Sequence, residues 1–181
     1  MPRVLVPLAH GFEEIEAVTV IDILRRANIE VVVAGLEEGT IEGSRGIKVL
    51  PDTTLDQAGS DFDLIALPGG ARCADRMRED ERIAALVRGL LSKGKPVAAI
   101  CAASTVLSHL GVLEGKRATG HPSVLSLLRA GQAVTDRVVV DGPIVTSRSP
   151  GTAMEFAFKL VELLVGKVKA EEVNRGVLAR L

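Results

Sequence analysis

Short β-branched runs alternate with longer stretches of helical spacing along the chain. Val4-Leu5-Val6 reads as a buried strand, and Glu14 to Asn28 follows with Ala17, Ile21 and Leu24 on one apolar face. Glu30 to Ala34 is nearly all valine after its first residue, as expected for a strand covered on both faces. Leu36 to Pro51 is polar and hairpin-like, punctuated by Gly39, Gly43 and Gly46. Phe62 to Leu67 is a third core strand that ends at Pro68-Gly69-Gly70. Asp80 to Leu91 is amphipathic, with Ile83, Leu86, Val87 and Leu90 on one side. Gly94-Lys95-Pro96 resets the chain before a fourth core strand, Val97 to Ile100, and Ala102 to Leu110 reads as a helix of small and apolar residues. A short strand and loop carry Thr119-Gly120-His121-Pro122, and Val138–Val140 with Ile144–Thr146 forms a hairpin around Asp141-Gly142. Ser149-Pro150 opens a helix with a buried stripe of Ala153, Phe156, Ala157, Leu160 and Leu164; the spacing of Thr152 and Glu155 allows a start one turn later. A last helix is expected over Ala170 to Leu181.

This alternation predicts an α/β fold: a mostly parallel sheet with helices on both faces. Ligands in such sheets sit beyond the carboxyl ends of the strands. The loops at Ala9–Gly11, Pro68–Gly70 and Ile100–Ala102 each follow a core strand and should converge on one crevice.

Composition narrows the picture. The 181 residues suit one domain over 1–181. A formal net charge of −1 argues against electrostatically driven binding to nucleic acid or membrane. Aromatics make up 2%, too few for base-stacking platforms, so the core must come from Val, Leu, Ile and Ala. Two cysteines exclude a disulfide framework and a four-cysteine zinc site. No signal peptide or span of roughly 20 apolar residues is apparent, so the expected setting is soluble, reducing and cytoplasmic.

The strongest local signal is Val97-Ala98-Ala99-Ile100-Cys101-Ala102-Ala103-Ser104. A buried strand turns straight into a helix with Cys101 at the junction, the pattern of a nucleophile elbow. Ala99 and Ala103 supply the small side chains that a tight turn requires. A helix N-terminus beside the sulfur would favour thiolate. Cys101 reads equally as a small buried core residue. In Glu13-Glu14-Ile15-Glu16-Ala17 three carboxylates crowd a helix start, where the dipole alone suits them. Glu16 precedes Ala17 on the apolar face and can turn inward, where burial would raise its pKa and let it pass a proton to or from a thiol.

Pro68-Gly69-Gly70 lets the backbone approach a ligand, and with the Ala102 N–H it can form an oxyanion hole. The pair lacks the longer glycine pattern of a phosphate loop, so no nucleotide cofactor is expected, and no histidine–cysteine–carboxylate spacing suggests a metal. His121 sits between Gly120 and Pro122, where a rigid loop can aim it; His10 follows the first strand, and His109 lies late in a helix. Cys73, between Arg72 and Arg76, reads as an incidental surface thiol. Arg45 and Arg148 stand in loops, suited to an anion or to a carboxylate partner.

Taken in order, Glu13-Glu14-Ile15-Glu16, Ile21 to Ala27, Ser44-Arg45-Gly46, Leu67-Pro68-Gly69-Gly70, Ala98-Ala99-Ile100-Cys101-Ala102, His121-Pro122 and Thr146 to Thr152 resemble the ThiJ/PfpI superfamily, most closely its DJ-one branch. The resemblance covers nearly the whole chain. It implies a flavodoxin-like three-layer sandwich and a homodimer. It implies that Cys101 is the reactive cysteine, Glu16 the protonated acid on its sulfur, and His121 the nearby histidine. Gly70 and Ala102 match the amides around the sulfur, with Gly69 beside them, and Arg45 and Arg26 match arginines near the site and the dimer contact.

The activities implied are cofactor-free glyoxalase chemistry on small aldehydes such as methylglyoxal, deglycation of proteins, or oxidative-stress sensing with chaperone function. Proteases of the wider superfamily place histidine directly after the nucleophile, where this chain has Ala102. Glutamine amidotransferases share the fold, but no His-x-Glu pair is evident. Ala71-Arg72-Cys73-Ala74 after the glycine pair departs from close relatives.

Overall fold

The apolar, β-branched runs become the centre of the sheet because they are covered on both faces. The computed structural model describes residues 1–179. Its main sheet contains β1 (Arg3–Leu8), β2 (Glu30–Gly35), β5 (Thr53–Thr54), β6 (Leu64–Leu67), β7 (Val97–Ile100), β10 (Val138–Asp141) and β11 (Ile144–Ser147). Between them lie the small pairs β3 (Ile41–Glu42) with β4 (Lys48–Val49), and β8 (Arg117–Ala118) with β9 (Gln132–Ala133). The order across the main sheet is β10-β11-β7-β6-β1-β2-β5. Every pairing is parallel except the β10–β11 hairpin at one edge. This is an α/β, flavodoxin-like architecture with helices packed on the sheet.

The helices are α1 (Glu14–Arg26), α2 (Ala71–Glu79), α3 (Glu81–Ser92), α4 (Ser104–His109), α5 (Ala153–Val165) and α6 (Lys167–Val177). One layer joins α1 to α5 and α5 to α6; the other joins α2 to α3 and α4. The apolar stripe of α1 is Ala17, Val20, Ile23 and Leu24, with the expected Ile21 only half-buried. Asp80 starts α3 by accepting the Arg82 N–H at 2.9 Å, satisfying a donor that has no partner inside the helix.

Several boundaries differ from the sequence reading. The segment Ala71–Glu79 forms α2, a helix that the pattern did not announce. Charged residues dominate it, and only Cys73, Ala74 and Met77 turn inward. Residues Cys101–Ala103 form a 3-10 turn before α4, so the expected helix from Ala102 is shorter and later. Pro150–Thr152 forms another such turn, in which the Ser149 N–H donates to Thr152 Oγ1 at 3.1 Å, and α5 begins only at Ala153. The last helix begins at Lys167, three residues early; residues 180 and 181 of that expectation lie outside the described residues.

The chain leaves β1 for β2 on one side and later returns to β1's other side as β6. Loops that follow β1 and β6 therefore diverge, and a crevice opens between them at the carboxyl ends. Behind that crevice, Phe156 of α5 is fully buried in a cluster with Val6, Ala17, Val20 and Ile100, so it ties α1 to the strands that carry the loops. Truncation by Phe156→Ala should cost about 3–5 kcal/mol of stability, read as a lowered urea midpoint with an unchanged slope.

Candidate active site

Three strand ends deliver the site. The β1 loop supplies His10 and Gly11, the β6 loop supplies Gly70, and β7 ends at Cys101 and Ala102; all five line one cleft of about 750 Å³. Arg45, Arg72 and His121 line it as well. The three loops singled out from the sequence thus meet in one place.

Cys101 occupies a sharp turn. Its φ is +64°, a left-handed conformation for a residue with a side chain. Such a backbone costs about 1–3 kcal/mol and persists only where surrounding packing enforces it. Ile100 before it is fully buried, Ala103 after it is fully buried, and the His121 N–H donates to the Cys101 carbonyl at 3.3 Å. The residue is 8% exposed, so the sulfur lies at the cleft floor rather than sealed in the core.

Glu16 stands in the first turn of α1 and is fully buried. The Glu13 carboxylate caps this helix by accepting the Glu16 N–H at 2.8 Å. Glu16 Oε2 accepts the Gly69 N–H at 2.8 Å. Its Oε1 is buried without a hydrogen-bond partner, and the Cys101 thiol beside the carboxyl works to lower its pKa. Close approach is possible because residue 69 has no side chain. A Cβ there would meet Glu16 Oε2 at 2.4 Å and Cys101 Cβ at 2.7 Å. Gly70 is as constrained, with φ +92° and a Cβ position 2.1 Å from the Gly11 carbonyl oxygen.

The two acids titrate as a pair. Burial raises the Glu16 pKa from 4.5 to about 7, against the lowering effect of its bonds to Cys101 and Gly69. Burial, followed by the Glu16 carboxylate, pushes the Cys101 thiol up to about 12, against the Ala102 and Gly70 amides. The helix start alone therefore does not ionise this thiol. Between these limits the pair holds one proton and one negative charge. Thiolate exists near neutrality only when Glu16 carries that proton.

The other candidates take varied places. The Gly70 and Ala102 backbone N–H groups work to lower the pKa of the Cys101 thiol. The Gly69 N–H is spent on Glu16, so Gly69 holds the acid and is not free to bind a ligand. His121 Nδ1 accepts the Ser123 N–H at 3.2 Å and lies 2.7 Å from Ser123 Oγ, which leaves Nε2 to the cleft. The Arg45 N–H donates to Glu14 at 2.6 Å while its guanidinium is exposed at the rim. Arg26 does not reach the cleft; it pairs with Asp22 at the far end of α1. Arg148 bonds the Gly120 and Thr135 carbonyls and so braces the His121 loop.

Cys73 is not a surface thiol. It is fully buried under α2, and burial pushes its pKa up to about 12, so neither neighbouring arginine activates it. Among the described residues no group of three or more histidine, cysteine or carboxylate side chains is arranged to hold a metal ion. No described helix is long and apolar enough to cross a membrane.

Sequence reasoning missed Glu14. It is buried, and it accepts bonds from Ser44 Oγ at 3.0 Å and from the Arg45 and Ile47 N–H groups. Burial works to raise its pKa, but these bonds outweigh it and the net direction is down. Glu14 thereby fastens the β3–β4 hairpin over the cleft. Three consecutive acids concealed that Glu13, Glu14 and Glu16 have separate tasks.

The raised pKa of Glu16 fixes the sign of a stability effect. The unfolded carboxyl ionises near 4.5 and the folded pair not until about 7, so the folded state binds more protons between them. Stability supplied by the protonated site is complete below pH 4.5 and declines as pH rises through 7. Between about pH 4.5 and 7.5 the wild type should lose roughly 3 kcal/mol relative to Glu16→Gln, measured by urea unfolding at each pH. Parallel curves for the two proteins would remove Glu16 from the coupled site.

Comparison with known proteins gives the family of the chain. Residues 2–163 match the model of the DJ-1/PfpI family. Protein dj-1beta of Drosophila melanogaster is 48% identical over 178 residues, covering 96% of this chain and 95% of its own. The crystal structure of Drosophila DJ-1beta superposes with a TM-score of 0.96 at 45% identity, covering 99% of each chain. Toxoplasma gondii DJ-1 in an oxidized form also gives 0.96, at 40% identity over 100% of both chains. Deglycase PH1704 of Pyrococcus horikoshii is 37% identical over 165 residues, 90% of this chain and 99% of its own. The chain belongs to the DJ-1/PfpI family and, within it, to the DJ-1 branch.

Proposed function

We propose that this protein is a cofactor-free, cysteine-dependent enzyme that acts on reactive 2-oxoaldehydes, methylglyoxal among them, or on their adducts with protein groups. The observation that carries the reading is Cys101 at the floor of the cleft with the buried Glu16 carboxyl brought up to it across Gly69. A relative named a deglycase supports the adduct arm.

The reactive form has the proton on Glu16 and the charge on sulfur. Cys101 Sγ adds to the aldehyde carbon, a C–S bond forms, and the carbonyl oxygen takes the Glu16 proton. The Glu16 carboxylate then removes hydrogen from that same carbon, and the electron pair moves to give an enediol. The Gly70 and Ala102 amides oppose the developing oxyanion, and His121 Nε2 assists proton movement to the neighbouring carbon. Reprotonation leaves a thioester on Cys101. Water cleaves it to the hydroxy acid, restoring thiolate and protonated Glu16. The overall change is addition of one water, with no external oxidant or reductant.

A second copy of the chain is the expected structural partner. Ile15 and Val18 on the outer side of α1, and Ile47 and Leu50 near the hairpin, are exposed apolar positions suited to that contact. The cytoplasm supplies both the aldehydes and the reducing conditions that keep Cys101 free.

Purified protein should convert methylglyoxal to lactate without glutathione. Cys101→Ser should abolish turnover, and Glu16→Gln should lower kcat by about a hundredfold or more, since general acid–base groups contribute 10²–10⁴. Undiminished turnover in Cys101→Ser rejects the mechanism.

A redox-sensing role shares the site, and the oxidized form of the Toxoplasma relative favours keeping it in view. Two equivalents of peroxide would convert Cys101 to sulfinate and release two waters, with the Glu16 proton and the two amides holding the new oxygens. Mild peroxide should add two oxygens at Cys101 and none at buried Cys73, read by peptide mass. Selective oxidation with negligible aldehyde turnover would make sensing the primary role.

A further inference from the structure

The cleft rim holds two arginines that no carboxylate neutralises. Eight other arginines pair with Asp or Glu, Arg76 and Arg82 among them. Arg72 makes no side-chain hydrogen bond or ion pair among the described residues, and the only side-chain bond of Arg45 is to the adjacent Ser44 carbonyl at 3.4 Å. Both line the cleft that contains Cys101.

Local geometry holds Arg72 there. It follows Ala71 at the start of α2, directly after the two glycines beside the sulfur. Its aliphatic stem lies across Gly11, where an added Cβ would meet Arg72 Cβ at 2.6 Å and its Cδ at 3.5 Å. Gly11 is itself fixed by its N–H bond to the Glu42 carbonyl, 2.8 Å. The acids that line the cleft are already engaged: Glu13 caps α1, and Glu42 faces Lys48 at 3.9 Å. The first turn of α2 contains no acid. Beside the Glu13 carboxylate and the single negative charge of the Glu16–Cys101 pair, the lining therefore adds two positive charges with no ion-pair partner among the described residues.

We infer that Arg72, with Arg45 also in the lining, is a specificity-determining residue that selects carbonyl compounds bearing an anionic group, a carboxylate or a phosphate, over neutral ones. This deepens the proposed function and rests on Cys101 being the reacting atom. A planar guanidinium can take either anion through two parallel N–H bonds, which fixes the orientation of the adjoining carbon toward the sulfur. Because both guanidinium groups are exposed, the selection is moderate and weakened by salt.

The test uses two alkylating agents of nearly the same size, anionic iodoacetate and neutral iodoacetamide, with Cys101 modification followed by peptide mass. The reference is the ratio of the two rates for N-acetylcysteine at the same pH. In the wild-type protein the iodoacetate-to-iodoacetamide ratio should exceed that reference about tenfold, the scale of one charge-assisted contact. In Arg72→Gln the ratio should fall about fivefold, Arg72→Lys should recover part of it, and about 0.5 M salt should flatten the difference. Acetate or inorganic phosphate added as competitor should slow the wild-type reaction, the stronger competitor identifying the preferred anion. A wild-type ratio equal to that of the free thiol, or one unchanged in Arg72→Gln, overturns the inference. Because alkylation needs no turnover, failure to convert methylglyoxal would reject the enzymatic reading while leaving this ratio to be judged separately.

Discussion

One proton shared by two buried acids governs this molecule. Glu16 and Cys101 come from segments far apart in sequence, and neither is stable as an ion in the environment the fold gives it. Burial raises both; the Glu16 carboxylate raises Cys101 further, while the Cys101 thiol lowers Glu16. The site escapes a double charge by keeping one proton, and the surrounding donors decide which atom has the charge. The Gly69 N–H favours it on the carboxylate, while the Gly70 and Ala102 N–H groups favour it on sulfur. The difference between an inert buried thiol and a nucleophile is therefore a choice between two microstates of the pair, not a property of cysteine alone.

That balance requires distances that ordinary backbone would forbid. Cys101 is held at φ +64° by its buried neighbours, and Gly69 admits carboxyl and thiol into space that a methyl group would fill. The sheet makes this affordable. Parallel strands β1, β6 and β7 end side by side, and their register fixes Leu67 against Ala99 with no flexible segment between. The polar loop opposite is pinned from within: Ser104 Oγ donates to the Thr119 carbonyl at 2.8 Å, and the Thr119 N–H to Thr146 Oγ1 at 2.9 Å. Rigid elements thus carry the strain that the turn stores.

Much of this was legible in the sequence. Near-continuous apolar runs announced the central strands because burial on both faces leaves no other composition. The strand-to-helix junction at Cys101 was visible because Ala99 and Ala103, two positions to either side, are small. What escaped has a physical reason in each case. Helix α2 buries only Cys73, Ala74 and Met77, so its stripe is too narrow to outweigh its charges. Cys73 looked exposed because arginines surround it in sequence, yet those arginines lie exposed while Cys73 turns into the core with Ala74 and Met77. Glu14 looked like a solvated acid because its partners, Ser44, Arg45 and Ile47, lie some thirty residues on. Local spacing does not reveal a contact made by a hairpin folding back.

The reacting atoms and the selecting atoms are built differently, and that separation follows from the same constraint. Glu16 and Cys101 are locked by backbone amides and neighbouring side chains, so a change at either alters charge, packing and turn geometry together. Arg72 and Arg45 stand at the rim on exposed side chains with no carboxylate partner among the described residues. Replacing one of them changes the field at the cleft mouth while leaving the buried pair's contacts intact, and effects at such separate positions approach additivity. A buried proton that cannot be re-engineered piecemeal is thereby combined with an entrance that can. Chemistry is fixed by the strand ends, and the choice of what reaches it is left to the first turn of α2 and the β3–β4 hairpin.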